Sequence, residues 1–410
     1  MKKVKVLFLA LLMSLAVFSA AAKGSSKQIV TYQSEFKTNS VNKKIAYQLL
    51  DNGKIVFVFD SARNGIKLPK RVFVEGSFNG WKKNNPDWEL TKVTSKVWTY
   101  ECDLQDVMVP GNSGFPEFKF YIIADEEYIE TVCGKELSRL REIKIEPALE
   151  NPGAGFQMMN NNLILLPEDD PQYVVENLKT ANRLKKLKEF DLENPEDVKT
   201  ISNFRQVPGT TKLFRGYHPY KASRSELDTE KTRISLVNKQ LKENEVNTII
   251  TLSGEEKIDP KKEQLSVYVG NIQQKGNQLF VKTHYNTVYY GSNTREFGKM
   301  MGEIVRFINN HPGAYYVHCR LGTDRTGVIS ANLAALCGAS WEEIAADYQK
   351  TNEMGIREFR DKNLLKYSFE NMLGKPLSEV EDLQKEVKDY YVREGFLSAQ
   401  DVNSLISNLK

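Results

Sequence analysis

The sequence predicts a multidomain protein: an all-β sandwich, then an α/β domain with a helical C-terminal extension. Three patterns predict it. Between residues 45 and 167, short runs of β-branched and aromatic residues alternate with Gly, Pro and Asn clusters, the punctuation of antiparallel strands. Between 201 and 375, strand-like and helix-period segments alternate, as in a sheet covered by helices. The end of the chain carries helical periodicity alone, over 383–392 and 399–409.

The elements follow in order. Lys2, Lys3 and Lys5 precede residues 6–18, apolar except for Ser14, and Ala20-Ala21-Ala22 follows. This is the layout of a secretory signal peptide over 1–22, cleaved near Ala22, and it predicts a periplasmic or secreted protein. The apolar run is shorter than the about 20 residues a bilayer span requires, and no later stretch is apolar enough, so the mature chain is expected to have no membrane span. Residues 23–44 read as a flexible leader rich in Ser, Lys, Thr and Asn. Strands are predicted at 54–60, 71–76, 96–104 and 117–123. Residues 168–200, with Val174, Leu178, Leu184 and Leu187 at helical spacings, predict a linker helix. Over 201–410, strands are expected at 246–252, 278–285 and 314–318, with helices at 229–243, 294–310, 326–337, 341–352 and 364–373.

A formal charge of +4 with interspersed signs and no basic tail argues against a nucleic-acid partner. Four cysteines are present. In an oxidising compartment Cys102 and Cys133 could pair, whereas Cys337 sits in an apolar helical run and reads as core.

The chemistry concentrates at His318-Cys319-Arg320-Leu321-Gly322-Thr323-Asp324-Arg325-Thr326-Gly327, between a predicted strand and a predicted helix. Backbone N–H groups at such a turn, with the helix dipole, form a nest for an anion. Arg320, Leu321, Gly322, Thr323 and Gly327 complete this phosphate-binding loop, with Gly322 allowing the tight turn. Cys319 at its base is the candidate nucleophile, its thiolate favoured by the same field. His318 is placed to support the loop, and Arg325 offers a planar fork for two phosphate oxygens. Thr326 offers its hydroxyl to the sulfur as leaving group. The bland alternative, a structural cysteine with a surface arginine, does not explain the His before, the Gly at the centre and the Thr-Gly after.

With those residues in place, the chain resembles the cysteine-dependent tyrosine and dual-specificity phosphatases. It is most similar to a bacterial branch whose loop reads His-Cys-x-x-Gly-Lys-Asp-Arg-Thr-Gly. Asn203-Phe204-Arg205, Leu213-Phe214-Arg215-Gly216, Ala346-Asp347-Tyr348 and Gly395-Phe396-Leu397-Ser398 resemble other segments of that branch. The resemblance implies a tyrosine-phosphatase-like domain over 201–410 that works without metal or cofactor. Thr323 stands where the branch usually has Lys, a cationic contact that Arg320 could replace. Many relatives carry an acidic residue upstream as general acid, yet no Asp lies between Asp259 and Asp324. Asp324 is therefore either that acid or a brace for the loop, with His284, Glu296 and Asp259 as weaker candidates.

Upstream, Arg71-Val72-Phe73-Val74-Glu75-Gly76-Ser77-Phe78-Asn79-Gly80-Trp81 and Phe118-Lys119-Phe120-Tyr121 resemble the glycogen-binding module of AMP-activated kinase β subunits, an immunoglobulin-like sandwich. By motif position Trp81, Lys119 and Asn161 would contact sugar, with Tyr128 in place of the family's second tryptophan. Sugar rings stack on exposed aromatics. Alternatively Trp81 packs in or near the core and the module only docks.

The expected activity is hydrolysis of a phosphate monoester through a phosphocysteine intermediate, most simply of protein tyrosine or dual-specificity type. Phosphoinositides, inositol phosphates and phosphoglucans are alternative substrates, the last by analogy with glucan phosphatases that join two such domains. A reading from another class is a carbohydrate- or protein-binding protein on an inactive phosphatase scaffold.

Overall fold

The computed structural model describes residues 46–410 except 63, 65, 67–68, 125–147, 152–156, 159–160, 167–168 and 255–264. The predicted signal peptide and leader, Tyr128, Cys133 and Asp259 lie outside the described residues. The chain divides into two compact units, residues 1–179 and 180–410.

In the first unit, strands β1 (Tyr47–Leu49), β2 (Lys54–Asp60), β3 (Pro69–Gly76), β4 (Thr91–Lys92), β5 (Val97–Asp103), β6 (Glu117–Ala124), β7 (Ala148–Asn151), β8 (Gln157–Met158) and β9 (Asn161–Leu163) form two sheets. Their orders are β1-β2-β5-β4 and β3-β6-β9-β8, with β7 also on β6. All pairings are antiparallel. Alternate residues point inward, as the pleat requires. Ile55, Phe57, Phe59 and Trp98 from one sheet share a core with Val72, Val74, Phe118, Phe120 and Ile122 from the other. Cys102, on β5, is a free thiol, and its anticipated partner Cys133 lies outside the described residues. Burial pushes its pKa up to about 12, which makes it a poor nucleophile.

The polar stretch after residue 168 holds two helices rather than one linker helix: α1 (Pro171–Asn182) and α2 (Pro195–Ser202). Asn194 caps α2, accepting from the Glu196 N–H, and Pro195 occupies its first position, so the chain must break there. Residues 183–185 already belong to the second unit. There the Lys185 N–H donates to the Gly355 carbonyl at 2.8 Å and the Arg357 N–H to the Arg183 carbonyl at 3.0 Å.

The second unit is built on β10 (Arg205–Gln206), β11 (Leu213–Gly216), β12 (Thr248–Thr251), β13 (Gln278–Phe280) and β14 (Tyr315–His318), in the order β10-β11-β14-β12-β13. Only β10 is antiparallel to its neighbour. The helices are α3 (Glu230–Glu243), α4 (Val267–Gln274), α5 (Tyr285–Tyr289), α6 (Arg295–Asn310), α7 (Asp324–Leu336), α8 (Trp341–Gln349), α9 (Lys362–Leu373), α10 (Leu383–Arg393) and α11 (Ala399–Leu409). Both sheet faces are buried, as parallel sheets require. Val317 and Ile250 join α6, α7 and α11 in one cluster, while Tyr316 and Ile249 join α3 and α4 in the other. On α6, Phe297, Met300, Met301, Ile304, Val305 and Ile308 are all buried, the stripe its spacing predicts.

One boundary departs clearly from expectation. The strand predicted over 278–285 ends at Phe280, because His284 caps α5, its Nδ1 accepting from the Asn286 N–H at 3.3 Å. Among the described residues, no helix is long and apolar enough to cross a membrane.

Candidate active site

The loop His318–Gly327 starts at the C-terminal end of β14, between β11 and β12. Ligands of open parallel sheets bind at such a position. Its base is fixed by buried polar contacts. His318 is fully buried, its Nδ1 3.2 Å from the Cys319 carbonyl oxygen and its Nε2 2.9 Å from Thr251 Oγ1. Gln278 Nε2 donates to that same hydroxyl at 2.8 Å. Thr251 therefore turns its own proton toward Nε2, which leaves the imidazole proton on Nδ1, facing the Cys319 carbonyl.

Beneath the loop, three charged residues from separate elements converge. Arg215 on β11 donates from Nη2 to the Gly322 carbonyl at 2.8 Å and from Nη1 to Asp347 Oδ2 at 2.7 Å. Arg205 on β10 donates from Nε to Asp347 Oδ1 at 2.5 Å, and from Nη1 to Asn203 Oδ1 at 2.5 Å. Asn203 in turn donates from Nδ2 to the Leu321 carbonyl at 3.1 Å. Burial alone would raise the pKa of Asp347. The guanidinium groups of Arg205 and Arg215 outweigh it and hold the carboxyl below its usual range.

Gly322 takes φ +77°, and a Cβ there would run into the Gly216 carbonyl, so only glycine fits. Gly327, on α7, lies against the Tyr348 ring.

Cys319, only 3% exposed, opens into a cavity of about 220 Å³ lined by Ser223, Arg224, Arg320, Leu321, Asp324, Arg325, Glu358 and Arg360. Arg325 Nη1 donates to the Leu252 carbonyl at 3.0 Å and the Thr283 carbonyl at 3.2 Å. Its Nε and Nη2 bond to no other described residue, so one side of the fork is available to an anion. Thr326 is fully buried, and its hydroxyl has no hydrogen-bond partner among the described residues, so the anticipated bond to the Cys319 sulfur is not formed in this state. Thr323 is buried as well and does not line the cavity. The cationic wall comes from Arg320, Arg224 and Arg360 instead.

Asp324, the first residue of α7, makes the contacts of a brace. Its Oδ1 accepts from Arg360 Nε at 2.7 Å and from the Tyr289 hydroxyl at 3.0 Å, and the Tyr289 hydroxyl lies 2.6 Å from that of Tyr348. Burial pulls the pKa of Arg360 down, but the Asp324 and Glu358 carboxylates outweigh it and hold it well above its ordinary value. His284 and Glu296 are exposed and do not line the cavity.

Arg224, Arg360 and Glu358 were not legible as site residues. They sit about 95 and 40 residues from Cys319, in loops whose meeting only the fold decides. The one signal was the charge run Arg357-Glu358-Phe359-Arg360-Asp361. Among the described residues, no cluster of His, Cys, Asp and Glu could hold a metal ion.

In the first unit, Trp81 and Lys119 come together, the Lys119 ammonium 5.6 Å from the centre of the Trp81 ring and 3.6 Å from the buried Glu75 carboxylate. Asn161 donates to Glu117 Oε2 at 2.7 Å. Trp81 is half-buried at φ 57°, a conformation uncommon outside glycine. Trp98 lies in the core and Trp88 packs against it.

Residues 180–409 match the family model described as the tyrosine phosphatase family. Among solved structures, the core catalytic domain of the PP-IP phosphatase SIW14 from S. cerevisiae, in complex with citrate, is 16% identical. That likeness covers 50% of this chain and 94% of that one, with a TM-score of 0.26. A second Siw14 catalytic core is 14% identical over 48% of this chain and 94% of that one, also at a TM-score of 0.26. No curated protein matches the chain.

Proposed function

We propose that this chain, which belongs to the tyrosine phosphatase family and is a cysteine-dependent phosphatase, acts on polyphosphorylated cyclitols, such as inositol phosphates or phosphoinositide headgroups, rather than on phosphotyrosine. One observation carries the substrate choice. Among the described residues, the cavity at Cys319 is lined by four arginines (Arg224, Arg320, Arg325 and Arg360) against two carboxylates, with Leu321 as the one aliphatic residue. A phosphotyrosine ring has large apolar faces to bury and favours an apolar wall. Clustered phosphates favour arginine forks.

In the reaction, the Cys319 thiolate attacks phosphorus as the ester P–O bond breaks, and the departing oxygen takes up a proton from solvent. Water then attacks the phosphocysteine, releasing orthophosphate and returning the thiolate. The free side of the Arg325 fork stabilises the charge on the transferring group.

The test compares kcat/KM for a phosphotyrosine peptide, a soluble inositol phosphate and a short-chain phosphoinositide. The polyphosphates are expected to lead by about tenfold or more, and their advantage should shrink in high salt as the arginines are screened. A peptide that equals or exceeds them overturns the substrate assignment.

A second reading concerns the first unit. Trp81, Lys119 and Asn161 are proposed to hold a glucan, supported by the Lys119–Trp81 contact and by the unusual backbone of Trp81. Co-sedimentation with glycogen is expected for the whole chain and should be lost in Trp81→Ala. A parent protein that stays in the supernatant ends this reading.

A further inference from the structure

We propose that Arg224 and Arg360 form a second anion subsite beside Cys319, which Glu358 occupies as an internal competing carboxylate, so that Glu358 sets how tightly the subsite takes a second phosphate. The proposal rests on the polyanion reading above and names the residue that tunes it.

Both arginines are set in place through their backbones. The Ser223 and Arg224 N–H groups donate to Glu230 Oε1 at 2.6 and 3.1 Å, and Glu230, on α3, is buried. The Tyr217 hydroxyl also donates to that oxygen, at 2.9 Å. Earlier in the same segment, buried His218 accepts from the Tyr220 and Lys221 N–H groups through Nδ1. On the opposite wall, Asn352 clamps Arg360 from both sides. Its Oδ1 accepts from the Arg360 N–H at 2.8 Å and its Nδ2 donates to the Arg360 carbonyl at 3.0 Å. Rigid supports of this kind hold binding groups ready at little entropic cost.

Glu358 spans the two. Its Oε1 accepts from Arg224 Nη1 and its Oε2 from Arg360 Nη2, each at 3.1 Å, and its side chain is about a quarter exposed. Arg224 also pairs with the exposed Glu226 at 2.6 Å, and Arg360 with Asp324 at 2.7 Å. One carboxylate thus engages two guanidinium groups that line the same cavity as Cys319.

A singly charged or neutral substituent next to the scissile phosphate gains nothing by contesting this bridge. A second phosphate, with more charge and three acceptor oxygens, can displace it. Glu358 therefore lowers the affinity of a second anion by the cost of its own displacement.

The probes are myo-inositol hexakissulfate, which cannot be turned over by phosphate hydrolysis, and inorganic sulfate. Each is measured as an inhibitor of aryl phosphate hydrolysis by the full chain. Glu358→Gln keeps the shape and removes the charge. Inhibition by the hexakissulfate is expected to tighten about tenfold, and inhibition by sulfate to change less than about twofold. Equal tightening for both probes, or unchanged or weaker hexakissulfate binding, overturns the proposal. Should that variant not fold, Arg224→Gln carries the test. Hexakissulfate inhibition must then weaken about tenfold with sulfate unaffected, and an unchanged constant overturns the subsite. Failure of the underlying substrate reading looks different, because the parent enzyme would then bind hexakissulfate no more tightly than sulfate.

Discussion

Cys319→Ser lowers the turnover of an aryl phosphate by about 10⁴-fold or more, the scale on which enzymes lose rate when a nucleophile is removed. Serine keeps the shape of the side chain, but its hydroxyl is not ionised near neutral pH, and the described carboxylates of the cavity, Asp324 and Glu358, are paired with arginines. His318 is committed to Thr251 and to the Cys319 carbonyl. The anion-binding loop itself survives the substitution, since Asn203 and Arg215 hold the Leu321 and Gly322 carbonyls independently of residue 319. Sulfate binding by calorimetry should therefore persist while nitrophenol release disappears. Parallel loss of binding and rate would mean that the loop had collapsed, and equal rates would remove Cys319 as nucleophile.

Asp347→Asn destabilises the catalytic unit by about 3–5 kcal/mol, the cost of leaving buried charge uncompensated. Two guanidinium groups depend on that carboxylate, and Arg215 is 1% exposed. Residual activity after incubation in urea follows this unit alone. The midpoint should fall by more than about 1 M for a slope near 2–3 kcal/mol/M. Asp389→Asn, on the exposed face of α10, serves as the control that leaves it in place. The same triad gives a pH dependence whose sign is fixed. The folded pKa of Asp347 lies below its unfolded value of about 4. Its stabilisation is thus fully present above about pH 4 and fades as pH falls through the folded value. In Asp347→Asn this part of the acid sensitivity should vanish. A variant as stable as the parent would show that the two arginines are satisfied elsewhere.

How much was legible in the chain varied with the range of the interactions involved. The helix at α6 and the short strand at β14 could be read locally, because an apolar stripe or a β-branched run between caps is a property of adjacent residues. Where a local cap competed with a strand-like run, the cap prevailed, and His284 ended the expected strand at Phe280. Asp324 shows the limit most clearly. Its place in the motif left acid and brace equally open, and its bracing contacts run to Arg360 and Tyr289, residues with no sequence relation to it.

By itself, then, the sequence determined the order of the elements and the run His318–Gly327 between a strand and a helix, with Cys319 as candidate nucleophile and Arg325 as candidate clamp, since all of these are written in contiguous residues. Tertiary structure alone decided what supports the loop and what surrounds it. Arg205, Arg215 and Asp347 meet beneath it, and Arg224, Glu358 and Arg360 meet beside Cys319. The physical reason is that charge acts through space. Which guanidinium faces which carboxylate depends on distances that only the packing of β11, α8 and the flanking loops creates.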